Sequence, residues 1–164
     1  MPLLLSIIYV AALGILAHYI GEALPRRLFN FRKFPYRQFR FEKSGRLYRF
    51  LRVHKWKDKL PDMSKVMKDM IPKSVSFKPT SAELYRLAGE TCVAEAVHNA
   101  LNILFLGIYL FWKNRIGIFL TALSIILNSP FIIIQRYNRP KIISLADRLA
   151  EREEKRNACI NSVV

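Results

Sequence analysis

Three stretches of about twenty apolar residues, at about 3–24, 91–112 and 116–135, fix the kind of fold open to this chain. Each has the length that a ~30 Å hydrocarbon slab asks of a helix. An apolar content of 52% and a formal charge of +15 in 164 residues would conflict in a soluble globule. They agree in a small membrane protein whose greasy and charged residues occupy different segments. The expected fold class is therefore all-α: a small polytopic membrane protein with about three transmembrane helices plus interfacial amphipathic helices, forming one membrane domain over residues 1–164. No basic run precedes the first stretch, and no clean small-x-small cleavage site precedes Pro25-Arg26-Arg27. It is read as a retained span rather than a leader.

Charge sets the expected orientation. The long loop at 25–90 holds eighteen Lys and Arg against six acids, whereas the link between the second and third spans carries only Lys113 and Arg115. By the positive-inside rule the basic loop is cytoplasmic, with the N-terminus outside and the C-terminus inside. The tail keeps Arg148, Arg152, Lys155 and Arg156 on that side, in a charged cytoplasmic helix expected at 144–156. Cys92 and Cys159 would both face a reducing compartment, so no disulfide is expected.

Within the loop, aromatic and basic residues interleave from Pro25 to Lys43. In the following Arg46–Lys57 stretch, Leu47, Phe50, Leu51 and His54 share one face at helical spacing, which predicts an interfacial amphipathic helix. Tethering between two spans argues against nucleic acid as the partner. Met63, Val66, Met67 and Met70 suggest a further short helix. Thr80 or Ser81 with Glu83 predicts a helix start, and Gly89 a bend before the second span. Asn128-Ser129-Pro130 predicts a kink in the third.

The chemistry-bearing residues lie inside the apolar segments. At about 100° per residue, Thr91, Glu95, His98 and Asn102 fall within roughly 60° of one another on a helix. Ionisable groups in a membrane span are costly and mark a site facing protein or water. A carboxylate one turn from an imidazole is the usual start of general-base chemistry, with Glu95 orienting His98; the same two also suit a buried pair that fixes helix packing. Glu22 closes the first span and the 135–139 segment closes the third, so the polar groups collect at one depth. Arg136, Asn138, Arg139 and, deeper, Asn128 are candidate donors to an oxyanion. Arg136 and Arg139 equally suit snorkelling anchors, and Asn128 a helix–helix contact. Glu90, Glu95 and His98, with Asp62, offer an alternative carboxylate–imidazole set for a metal such as Mg²⁺, Mn²⁺ or Zn²⁺. A non-enzymatic membrane scaffold using the basic face is the remaining alternative. No nucleophile elbow, P-loop or dinucleotide fingerprint occurs.

Four blocks carry a family resemblance: Phe41-Glu42-Lys43-x-Gly45-Arg46, Trp56-Lys57-x-Lys59-Leu60-x-Asp62, Glu90-Thr91-x-x-Ala94-Glu95-x-x-His98, and Asn128-x-Pro130-x-Ile132-Ile133-Ile134-Gln135-Arg136-Tyr137-Asn138-Arg139-Pro140. In that order they resemble the glycosyl-4,4'-diaponeurosporenoate acyltransferases, small bacterial membrane proteins of staphyloxanthin-type carotenoid synthesis. Val93 and Asn99 depart from the family's frequent residues there. The resemblance implies a multi-pass protein of the bacterial cell membrane that esterifies a glycolipid acceptor, using a cytoplasmic acyl thioester donor. Acyl-CoA or an acyl-carrier protein would be that donor, as a substrate, with no cofactor, and membrane lipids would surround the site. It also adds Trp56 and Lys57 to the candidate substrate-binding residues.

Overall fold

The computed structural model describes residues 2–43, 45–60 and 79–161. Its described elements are α1 (Pro2–Ala23), α2 (Arg40–Lys43), α3 (Arg46–Phe50), α4 (Val53–Trp56), α5 (Ser81–Leu104), α6 (Ile108–Phe111) and α7 (Arg115–Asn161), with no strand among the described residues. The fold is all-α. Among the described residues three helical stretches are long and apolar enough to cross a membrane: Leu3–Ala23, Ser81–Phe111 and Arg115–Asn161. The helix expected around Met63–Met70 lies outside the described residues, as does Asp62. The chain forms two compact units, Met1–Asn30 with Thr91–Arg136, and Phe31–Glu90 with Tyr137–Val164.

In the first unit, α1 runs antiparallel to α5 and α6. Leu13, Leu101, Phe105 and Ile108 are its buried apolar centre, flanked by Tyr9, Val97, Trp112 and Leu120. Two polar contacts set the register: Trp112 Nε1 donates to Ser6 Oγ at 3.0 Å, and Tyr9 Oη donates to the Leu104 carbonyl at 2.8 Å. The second exists because α5 tightens into a 3₁₀ turn at Phe105–Gly107, where carbonyls lose their helical partners. Most of α1 is exposed apolar surface, including Leu4, Ile8, Ile15 and Leu16. A helix greasy on its outward face suits lipid, not water. Arg26 Nη1 closes α1 by donating to the carbonyls of Gly21, Glu22 and Leu24 at 2.7–2.8 Å.

Between α6 and α7 the chain reverses within three residues. Asn114 Oδ1 accepts the N–H groups of Ile116 and Gly117 at 2.9 and 3.2 Å, satisfying donors that a helix start leaves orphaned. Gly117 is obligatory here: a Cβ would overlap the Trp112 carbonyl oxygen. From that turn α7 continues for 47 residues. The separate helix expected at 144–156 is the far part of this one element. Pro130 and Pro140 each remove a backbone hydrogen bond, at a typical cost of about 3 kcal/mol. Burial of Asn128, Gln135, Arg139 and Ala146 along the same helix offsets that cost.

In the second unit, Thr80 and Glu83 form the reciprocal cap that the sequence predicts. Thr80 Oγ1 accepts the Glu83 N–H at 3.2 Å, and Glu83 Oε2 accepts the Thr80 N–H at 2.8 Å. The helix then passes Gly89 without interruption. Arg32 and Tyr85 both reach Asp147, at 2.6 and 2.7 Å; the Tyr85 hydroxyl, followed by Arg32, holds the Asp147 carboxyl below its ordinary value. The single amphipathic helix expected from Arg46 to Lys57 is two short ones, because Arg52 adopts a left-handed conformation at φ 49°. Trp56 Nε1 satisfies the Leu51 carbonyl at the break, at 2.8 Å. Tyr48 and Val53 are the buried residues, while Phe50 is 85% exposed, so the inward face differs from the expected one.

Two glycines in helices should respond oppositely to a methyl group. Gly117→Ala collides with backbone and should lower the melting temperature of the solubilised protein. Gly89→Ala meets nothing within 4 Å and should raise stability by up to about 1 kcal/mol. Equal responses in thermal unfolding would contradict the turn geometry.

Candidate active site

The first unit is organised inside out. Along α5 the buried or half-buried polar residues of this unit are Thr91, Glu95, His98 and Asn102; along α7 its fully buried polar residues are Thr121, Asn128 and Gln135, spaced by seven. Two turns of helix take about seven residues, so each set forms a stripe. The opposite faces carry Ile103, Leu106 and Leu110 on one side and Ile118, Phe119, Ile126 and Leu127 on the other, all exposed. Polar inward and apolar outward is the arrangement that lipid favours.

Asn128 is the hub where the stripes meet. Its Nδ2 donates to the His98 carbonyl at 2.8 Å and to Asn102 Oδ1 at 2.7 Å. With both amide hydrogens committed to acceptors, the orientation of the amide is fixed. Its Oδ1, which can only accept, sits 2.7 Å from His98 Nδ1. The hydrogen therefore belongs to Nδ1, and in the neutral ring the basic lone pair belongs to Nε2. Phe131, one turn from Asn128 on α7, stacks on the imidazole at 4.9 Å with 7° between planes. The ring is held in place and in tautomer together.

One turn away, Arg136 Nη1 donates to Glu95 Oε1 at 2.6 Å, with side-chain exposures of 13% and 5%. A charge-assisted contact this short and this buried is a strong one. The orienting group at Nδ1, expected to be Glu95, is Asn128, and Glu95 instead anchors Arg136. The sequence placed Asn128 as a donor or a helix contact and did not identify Phe131. The signal was present in the spacing, since Asn128, Phe131 and Gln135 recur at helical intervals.

The other candidates serve the second unit. Arg139 is 2% exposed, donates through Nη1 to the Tyr36 carbonyl at 2.8 Å and lies over the Tyr36 ring. Asn138 and Glu90 are half-buried there. Trp56 caps Leu51, as described, and Lys57 pairs with Asp58 at 2.6 Å. Among the described residues no three His, Cys, Asp or Glu side chains gather where they could hold a metal ion.

Comparison with known proteins bears on what this arrangement is for. The family model for glycosyl-4,4'-diaponeurosporenoate acyltransferase matches residues 30–148. The chain belongs to this family. Curated relatives of that name from Staphylococcus aureus include those of strain bovine RF122 / ET3-1, 30% identical over 142 residues, and strain MRSA252, 30% identical over 139 residues. Each comparison covers 83% of this chain and 82% of the relative. No solved structure matches the chain significantly. The matched region takes in all of α5 and the part of α7 up to residue 148, and so includes Glu95, His98, Asn128 and Arg136.

Removing one partner of a buried ion pair strands the other charge. Glu95→Ala or Arg136→Ala should each cost about 3–5 kcal/mol. The double variant Glu95→Ala/Arg136→Ala should lose less than the two single truncations combined, read from unfolding of the detergent-solubilised protein. Strict additivity would mean the contact carries no coupling energy.

Proposed function

We propose that this protein is a membrane acyltransferase that esterifies a hydroxyl of a glycosylated, carotenoid-type lipid with a long-chain acyl group, taken from a thioester donor on the cytoplasmic side. The observation that carries this reading is the fixed His98 ring, with its Nε2 lone pair as base in a family of acyltransferases. His98 Nε2 takes the proton of the acceptor hydroxyl while the hydroxyl oxygen bonds to the thioester carbonyl carbon. The carbonyl oxygen becomes an oxyanion, for which the Arg136 guanidinium, oriented by Glu95, is the donor closest in chemistry to what is needed. Collapse of that intermediate breaks the C–S bond, and the departing sulfur takes the proton from the imidazolium. Ester and thiol are the products, and the ring returns to its starting state.

Asn128 is a positioning residue in this scheme. It sets which nitrogen is basic and leaves the proton transfer to His98. Arg139, which holds the Tyr36 carbonyl within the second unit, is given no step in this scheme. The acceptor class follows from the relatives' names; the donor, acyl-CoA or acyl-carrier protein, follows from the need for an activated carbonyl. The basic character of residues 25–90 favours a cytoplasmic location for that loop and for the C-terminus.

His98→Gln should lower the acylated glycolipid, measured by lipid mass spectrometry of producing cells, by about 10²–10⁴-fold with the protein still inserted. Product at the wild-type level would remove His98 as base. Asn128→Leu should act on kcat more than KM and shift the pH profile, as loss of tautomer control requires. Orientation has its own test on a Cys159→Ser background. Lys113→Cys should react with an impermeant maleimide on intact cells, and Ser144→Cys only after permeabilisation; the reverse pattern would invert the topology.

A further inference from the structure

The second unit contains a cavity of about 300 Å³ whose lining includes Glu42, Lys43, Arg49, His54, Tyr137 and Lys141. It lies within the size range of sites for small ligands. Residues from two separate sequence blocks meet here: Glu42, Lys43 and Gly45 from the first, Tyr137 and Pro140 from the last. Gly45 has φ +64°, a conformation open to glycine at little cost, and it turns the chain between Lys43 and Arg49.

The charge of this cavity is unbalanced. Among the described residues its one acid is Glu42, 3% exposed, and both carboxylate oxygens are engaged: Oε2 accepts the Phe39 N–H at 2.7 Å and Oε1 accepts the Tyr48 hydroxyl at 2.8 Å. Tyr48 packs edge-on against Tyr137, and Lys141 Nζ rests 3.4 Å from the centre of the Tyr137 ring. Glu42 thus builds the floor, while Lys43, Arg49 and Lys141 are exposed at the surface. Among the described lining residues, three cations against one carboxylate leave a net charge of +2, before any contribution from His54. An ammonium or guanidinium cluster around an open cavity recognises an oxyanion, and an arginine fork suits phosphate geometry.

We propose that this cavity binds the phosphate ester of the acyl donor, the group that both coenzyme A and a carrier protein's phosphopantetheine arm present. The identity of the ligand rests on the acyl-transfer reading; the phosphate chemistry of the site does not. The alternative source of the same group is the headgroup of an anionic phospholipid, and the experiment separates the two.

The full chain in phosphatidylcholine nanodiscs should bind coenzyme A in calorimetry at least ten times more tightly than pantetheine, which has the same thiol arm without phosphate. Lys43→Gln/Arg49→Gln/Lys141→Gln should weaken coenzyme A binding at least tenfold and flatten its salt dependence. Lys141→Gln alone should weaken it severalfold, which covers the case in which the triple variant does not fold. His98→Gln should bind coenzyme A as the wild type does, so loss of product with binding intact separates failure of the chemistry from failure of this site. Absent binding to the wild type, or binding unchanged in both cavity variants, overturns the proposal. So does a result in which the variants lose selective retention of phosphatidylglycerol while coenzyme A binding stays the same.

Discussion

A buried amide holds the first unit together. Asn128 on α7 offers two hydrogens and an oxygen, and α5 supplies a partner for each: the His98 carbonyl, Asn102 Oδ1 and His98 Nδ1. Between apolar helices in lipid there is little hydrophobic force to draw helix to helix, so polar contacts and close packing decide the pairing. The Glu95–Arg136 pair lies one turn along the same seam. The register that serves packing therefore also orients the imidazole. Stability and chemistry depend on the same few bonds.

The second unit solves a different problem. Its short helices could not stand alone, since each has at most five residues among the described elements α2 to α4, and isolated helices of that length do not persist in water. Side chains tie them down: Glu42 to Tyr48, Trp56 to the Leu51 carbonyl, Arg139 to the Tyr36 carbonyl. Contacts with Tyr85, Ser81, Asp147 and Glu153 then bind the start of α5 to the end of α7. A basic cavity survives within this framework because Glu42, the one carboxylate among its described lining residues, is consumed by the framework itself.

Much of this was legible from residue order. Three apolar stretches at membrane length, the Thr80–Glu83 cap and the polar stripe on α5 all depend on local spacing, which a one-dimensional pattern preserves. Other features were misread for identifiable reasons. Pro140 and the charged residues after it suggested a fresh helix at 144–156, but α7 remains one helical element to Asn161, with Arg139 and Ala146 buried along it. The 46–57 stretch had helical periodicity, yet the bonds made by Tyr48 and Trp56 favour a break at Arg52. Glu95 was the natural partner for His98 because it is one turn away in the same helix, whereas the actual partner at Nδ1 comes from thirty residues further along.

By itself the sequence determined the helical class, the count of apolar crossings, the basic loop and the presence of a carboxylate and an imidazole on one helical face. These follow from composition and periodicity, because lipid leaves a backbone few ways to satisfy its own hydrogen bonds. Only the tertiary structure decided which nitrogen of His98 carries the hydrogen, which cation Glu95 holds and which lysines and arginine surround one cavity. Those outcomes depend on donor and acceptor geometry between segments far apart in the chain, and spacing along one helix does not encode it.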